Sequence, residues 1–251
     1  MTSREVVTLP NTEALADEVA ERLLPVLAAA QEARGRAMLG LTAGSIMERI
    51  WHVLAASDAS SVDWSAVDVV WGDERFVPAD SEDRNDLPAE RILFAHQPFS
   101  AANRISMPAS DGLDGDDIDA AATRYATALF ELTPPVAPGV VPNVDVMLLG
   151  VGPDGHCCSL FPGHPGLAEK GRSVIAVRNS PKPPPLRLSL SFEGLNAAEQ
   201  IWVVASGSGK AEAVAAALGG ADPVRVPSAG AQGRSQTIWF LDAEAASQLP
   251  S

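Results

Sequence analysis

The 251 residues carry 18 Lys and Arg against 32 Asp and Glu, for a formal net charge of −14, and 46% of them are hydrophobic. This balance argues against a nucleic-acid binder, which needs a basic face, and no apolar run is long enough to span a bilayer. The two cysteines, Cys157 and Cys158, are adjacent, so a disulfide framework is excluded as a plan for the fold.

The first residues, "MTSREVVTLP", lack the apolar core of a signal peptide, and a cytoplasmic protein is expected. On so acidic a surface, an anionic substrate needs a local basic island. Only three lysines are present, Lys170, Lys182 and Lys210, so their positions are informative.

In chain order, "EVVTLP" reads as a first strand. Residues 11–34 come next, with Leu15, Val19, Leu23 and Leu27 at helical spacing. Pro25 is expected to kink or split that helix. "RAMLGLT" reads as a buried strand, "SIMERIWHVLAA" as a helix, and "VDVVWGD" as the next strand. Ile118, Ala122, Tyr125 and Leu129 mark another helical face. Residues 132–143, with four prolines, look like a connector before the strand in "PNVDVMLLGVG". Further strands are expected at "SVIAV", "LRLSLSF", "QIWVVAS" and "QTIWFLD", with a helix at "GKAEAVAAAL". "LRLSLSF" alternates and suits an edge or antiparallel strand.

Apolar strands alternating with helices predict an α/β fold: one domain over residues 1–251, with a mainly parallel sheet covered by helices on both faces. Ligands of such sheets sit beyond the carboxyl ends of the strands. Five strand ends run into polar or glycine-rich sequence, at residues 42–45, 72–75, 150–156, 178–180 and 206–210, and are expected to converge on one site.

"LLGVGPDGHCCSLFPG" contains Gly150, Gly152 and Gly155 at dinucleotide-turn spacing after a strand. The residues beyond the turn do not fit that role: Pro162 leaves little room for a helix, and no acidic residue ends a second strand about twenty residues on. The glycines instead allow a tight turn that places Asp154 and His156 in a cleft. A carboxylate beside an imidazole fixes its tautomer and raises its basicity, as a general base requires. A structural loop histidine is the plainer alternative for His156.

His156, Cys157, Cys158 and His164 lack zinc-ligand spacing, so no metal is expected and the cysteines read as buried packing residues. "GSGK" at 207–210 is not a Walker A loop, yet Lys210 at a helix start suits a phosphate, and Gly44 and Ser45 open another helix on the same logic. Arg75, Arg178 and Lys182 lie in candidate site loops, where ordinary surface salt bridges or solvated charges are the alternative.

Together these stretches resemble the 6-phosphogluconolactonase family. "LLGVGPDGHCCSLFPG" is similar to its Gly-x-Gly-x-Asp-Gly-His-x-x-Ser-Leu-Phe-Pro motif. "WGDERFVPADSEDRND" resembles its Asp-Glu-Arg stretch and subsequent asparagine, here Asn85. "NSPKPPPLRLSLSFEGLNAAEQIWVVASGSGKAEAV" resembles its Ser-Pro-Lys-Pro-Pro segment, strand and lysine helix. The chain departs from the family at residues 42–47, Thr-Ala-Gly-Ser-Ile-Met in place of Ser-Gly-Gly-Ser-Thr-Pro, and at Cys157-Cys158 in place of Thr-Ala.

The resemblance implies a sugar-phosphate-isomerase-like fold and a lactonase of the pentose phosphate pathway that uses no cofactor. It implies His156 as base with Asp154 orienting it, Arg75 near the oxyanion, and Lys210, Gly44 and Ser45 on the phosphate. Asp73, Arg178 and Lys182 are further substrate-binding candidates. A small-molecule substrate is then the expected partner, with neither nucleic acid nor membrane, and the protein a monomer or homodimer. The alternatives are an aminosugar-phosphate isomerase or deaminase, and a non-catalytic sugar-phosphate-binding regulator.

Overall fold

The computed structural model describes residues 3–58, 60–132 and 144–250. The proline-rich connector expected at 132–143 therefore lies, beyond Leu132, outside the described residues. The strands are β1 (Ser3–Leu9), β2 (Ala37–Leu41), β3 (Val67–Trp71), β4 (Asp73–Arg75), β5 (Val146–Gly150), β6 (Val174–Val177), β7 (Arg187–Leu190), β8 (Gln200–Ala205) and β9 (Gln236–Asp242). The main helices are α1 (Thr12–Arg34), α2 (Ser45–Ala56), α3 (Asp86–Ala89, continued as a wider turn through Phe94), α4 (Ile118–Leu132), α5 (Phe192–Leu195) and α6 (Ala211–Leu218).

Six strands form one parallel sheet in the order β1-β9-β8-β5-β2-β3. All five residues of β2 and of β3 are buried, so the sheet is covered on both faces there, and apart from Asp68 these strands are apolar rather than alternating. The edge strand β1 instead alternates between exposed and half-buried positions. At the other edge, β3 is covered by the backbone of 104–105, where Ile105 N–H donates to Val69 O at 2.9 Å.

The helix expected over 11–34 is a single element that continues through Pro25, so the chain is not split there. Pro25 lies on the exposed side of α1, where the carbonyl it leaves unbonded can be hydrated. Asn11 caps the helix start by accepting from Ala14 N–H at 2.9 Å, and Leu15, Val19, Leu23 and Leu27 all point inward.

A second sheet, β4-β7-β6, is antiparallel. The alternating "LRLSLSF" stretch forms its central strand, in keeping with the antiparallel reading. The sequence offered no sign that 73–75 would leave the parallel sheet and pair with it. Gly72 marks the departure: a Cβ there would stand 2.8 Å from Thr42 and 2.9 Å from Cys158, so only glycine lets the chain pass between them. Helix α4 packs against β6 and β7, and its Tyr125 hydroxyl takes the Trp71 backbone N–H at 2.7 Å where β3 ends.

Chain order runs outward from the centre of the parallel sheet in two directions: β2 to β3 on one side, β5 to β8 to β9 on the other. The crevice between the carboxyl ends of β2 and β5 is therefore the topological switch point, where such sheets bind ligands. Thr42 ties the two ends together. Its hydroxyl donates to Leu148 O at 3.1 Å and accepts from Gly150 N–H at 3.2 Å.

Candidate active site

A cleft of about 200 Å³ opens at this switch point. Four of the five polar strand ends line it: 42–45 after β2, Asp73 and Arg75 on β4, 150–153 and His156 after β5, and Ser206 and Lys210 after β8. The fifth, 178–180, does not. Arg178 turns outward and bonds both carboxylate oxygens of Asp119, at 2.6 and 3.4 Å. Lys182, from the stiff segment just beyond it, lines the cleft in its place.

The turn after β5 presents His156. Gly152 N–H donates to His156 O and Gly155 N–H to Gly152 O, both at 2.9 Å, which closes the loop tightly. Two glycines make that possible. Gly155 adopts φ +80°, and a Cβ on Gly152 would fall 1.9 Å from His156 Nδ1. The imidazole can occupy this position only because residue 152 has no side chain.

His156 Nδ1 lies 2.5 Å from Asp154 Oδ1, and the ring packs on Phe161 with centroids 4.8 Å apart. Lys182 Nζ is 3.5 Å from the same Asp154 oxygen and 3.2 Å from Nδ1. Burial pushes the Asp154 carboxyl up, but its bond to His156, with the charges of His156 and Lys182, outweighs this and holds it well below the usual carboxylate range. Asp154 is therefore an anion fixed against one ring nitrogen. His164, by contrast, stands apart. Its Nε2 meets Arg178 O at 2.8 Å and its Nδ1 accepts from Gly166 N–H at 3.0 Å, so it caps a turn.

Lys210 and the start of α2 supply the basic island. No ion pair with a carboxylate holds Lys210 among the described residues. Burial pushes its ammonium down, Lys182 adds to this, and Asp154 opposes it. Anion binding at the cleft would relieve both downward effects. The two helix starts differ in a way that sequence could not foretell. At the start before α6, Gly207 N–H is taken by the Asp242 carboxylate at 3.0 Å and Ser208 N–H by Glu244 at 3.2 Å, so those amides are already neutralised. At α2, Gly44 is the cap residue with φ +138°, no side chain caps the first turn, and Gly44, Ser45 and Ile46 line the cleft.

Asp73 and Arg75 project from alternate positions of β4 into the cleft. Asp73 accepts from Ser159 Oγ at 2.7 Å, and Arg75 Nη1 donates to Asp83 O at 2.7 Å. Arg75 Nε is buried without a hydrogen-bond partner among the described residues. Asn85 also lines the cleft, its side-chain amide donating to Asp73 O at 3.0 Å.

Sequence reasoning passed over Arg187. This residue is buried, lines the cleft, and donates to the carbonyls of Lys182, Pro183 and Pro184 at 2.9–3.2 Å, which holds the Lys182 loop in place. An arginine opening a strand of alternating leucine and serine was the available signal. Cys157 and Cys158 are free and buried. Burial pushes the Cys157 thiol up to about 12 and that of Cys158 up as well, so neither is a thiolate near neutrality.

Residues 10–239 match the family model described as glucosamine-6-phosphate isomerases/6-phosphogluconolactonase. A Streptomyces coelicolor protein named 6-phosphogluconolactonase is 45% identical over 247 residues, which cover 98% of this chain and 95% of that protein. One of the same name from Mycobacterium tuberculosis is 45% identical over 249 residues, covering 99% and 100%. The crystal structure of 6-phosphogluconolactonase from Leishmania guyanensis superposes with a TM-score of 0.82 at 27% identity, covering 99% of this chain and 100% of that one. No helix among the described residues is long and apolar enough to cross a membrane. The chain belongs to the glucosamine-6-phosphate isomerase/6-phosphogluconolactonase family.

Proposed function

We propose that this protein hydrolyses 6-phospho-D-glucono-1,5-lactone to 6-phospho-D-gluconate, in the cytoplasm, as the lactone-opening step of the oxidative pentose phosphate pathway. The observation that carries the reading is the meeting, in one cleft, of a carboxylate-bound histidine, an uncapped helix start, and a lysine with no ion pair among the described residues.

With Nδ1–H donating to Asp154, Nε2 of His156 holds the lone pair and takes a proton from water as that water attacks C1. The carbonyl oxygen becomes an oxyanion, which the guanidinium of Arg75, a cleft-lining residue, stabilises. Collapse of the tetrahedral intermediate breaks the C1–ring-oxygen bond. The imidazolium returns its proton to the departing oxygen, and the acid product ionises in water. Lys210 and the first-turn amides of α2 at Gly44 and Ser45 hold the 6-phosphate. Asp73 and Lys182 line the sugar between the two ends. Arg178 has no part in this arrangement. General-base help of about 10²–10⁴ together with positioning suffices for so activated an ester.

The isomerase and deaminase alternative is disfavoured by one segment. Where those enzymes carry Phe-Asn-Glu-Pro, residues 160–163 are Leu-Phe-Pro-Gly, and the Phe161 ring lies against His156 where a ring-opening acid would be sought.

The test is a coupled assay in which glucose 6-phosphate and its dehydrogenase generate the lactone. Added protein speeds acid release, does so after thorough chelation, and leaves glucosamine 6-phosphate unchanged. Activity lost on chelation and restored by zinc contradicts the mechanism. Conversion of glucosamine 6-phosphate to fructose 6-phosphate contradicts the substrate.

A further inference from the structure

Between the two cleft residues of β4 lies one that the mechanism does not use. Asp73 and Arg75 face the cleft, so Glu74 points to the opposite side of the strand, where it is 1% exposed. A buried carboxylate away from the site would ordinarily be replaced by an apolar residue unless its oxygens were in use.

They are in use. Oε1 accepts the backbone N–H of Arg75 at 2.7 Å and of Asn85 at 2.6 Å, and Oε2 accepts that of Asp86 at 3.1 Å. The Arg84 guanidinium lies 3.6 Å from Oε2 and bonds Asp86 through two nitrogens, at 2.7 and 2.9 Å. Glu74 thus fastens the 83–86 turn to β4 by backbone groups. The same turn presents Asp83 O, which receives Arg75 Nη1 at 2.7 Å. Its Asn85 side chain closes the loop onto Asp73 O.

We infer that Glu74 is a positioning residue for the reaction: by holding the 83–86 turn against β4 it aims the Arg75 guanidinium into the cleft. The inference rests on the role proposed for Arg75. Burial pushes the Glu74 carboxyl up to about 7 even though the Arg84 charge and the Asn85 and Arg75 amides pull it down. The group is therefore retained against its own solvation, as expected for a residue kept for what it positions.

A double-mutant cycle tests it, with rates normalised to folded protein. Glu74→Gln keeps the size of the side chain but sets an NH2 donor against backbone donors. It lowers kcat by on the order of tenfold, within the coupling range of contacting residues, and leaves KM within about threefold. In the Arg75→Ala background the same substitution changes kcat by less than about twofold, because the group it aims is gone. A loss of equal size in both backgrounds overturns the inference and marks Glu74 as a general stabiliser. A silent Glu74→Gln beside an impaired Arg75→Ala overturns the inference alone, whereas a silent Arg75→Ala overturns the Arg75 role and the inference with it. Should Glu74→Gln fail to fold, amide exchange in the unaltered protein decides: the Asn85 and Asp86 amides exchange as slowly as those of the core strands if Glu74 holds them, and fast exchange there overturns the proposal.

Discussion

The parallel sheet brings a helix start, one imidazole and Lys210 to the cleft, and the antiparallel sheet brings an aspartate, two arginines and Lys182. From β2 and β5 come the turns at 42–45 and 150–156, in which glycines give a helix start and room for one imidazole, and from the turn after β8 comes Lys210. From β4, β7 and the loop between β6 and β7 come Asp73, Arg75, Arg187 and Lys182. The first set continues strands that are buried almost throughout. The second is held by polar stitching: Glu74 to the 83–86 turn, Arg187 to three loop carbonyls. The arrangement separates the groups proposed for base chemistry and phosphate anchoring, which follow strands of the parallel sheet, from those proposed to line the sugar.

Substitutions can break that division, and the largest effect is expected on the parallel side. His156→Ala removes the proposed base and should lower kcat by about 10²–10⁴ with a modest change in KM, read in the coupled lactone assay. Lys210→Ala removes a charge-assisted contact made in both ground and transition states, so KM should rise by about tenfold to a hundredfold in substrate titrations. The double change Cys157→Ala, Cys158→Ala should keep turnover within about tenfold, since small apolar side chains fill much of the same buried volume. A loss approaching that of His156→Ala in a folded variant would give the cysteines a direct role.

The smallest effect is expected on the antiparallel side, just past β6. Arg178→Ala breaks only an exposed pair with Asp119 and should change kcat/KM by less than about twofold. A tenfold rise in KM there would return Arg178 to the substrate.

Much of this division was legible in the sequence, and the illegible parts have physical reasons. Parallel strands buried on both faces read as continuous apolar runs, so β2, β3, β5, β8 and β9 were visible in position, and the glycine turns signalled themselves by what the backbone must do there. Pro25 misled because a proline on the exposed side of a long helix costs one hydrogen bond without ending the element. The antiparallel sheet was only half visible. The β7 alternation was plain, but β4 is three residues long, too short for periodicity to declare it. Arg187 and Glu74 were missed for a shared reason: their importance lies in which backbone groups they hold, and those partners are fixed only by tertiary structure. The contrast between the capped start at 207–208 and the uncapped start at Gly44 depends likewise on Asp242 and Glu244, more than thirty residues away.

The central claim is a two-ended site, with base chemistry at His156 and anion anchoring at Lys210. It is tested most directly by pairing substrate truncation with mutation, measuring ring opening of 6-phosphogluconolactone and of the unphosphorylated lactone by wild type, His156→Ala and Lys210→Ala. The account predicts that His156→Ala lowers turnover by a similar factor on both lactones. Lys210→Ala should weaken only the phosphorylated one, bringing its KM toward that of the unphosphorylated lactone on wild type. Equal sensitivity of both lactones to Lys210→Ala, or the same kinetic change from both substitutions, would contradict it.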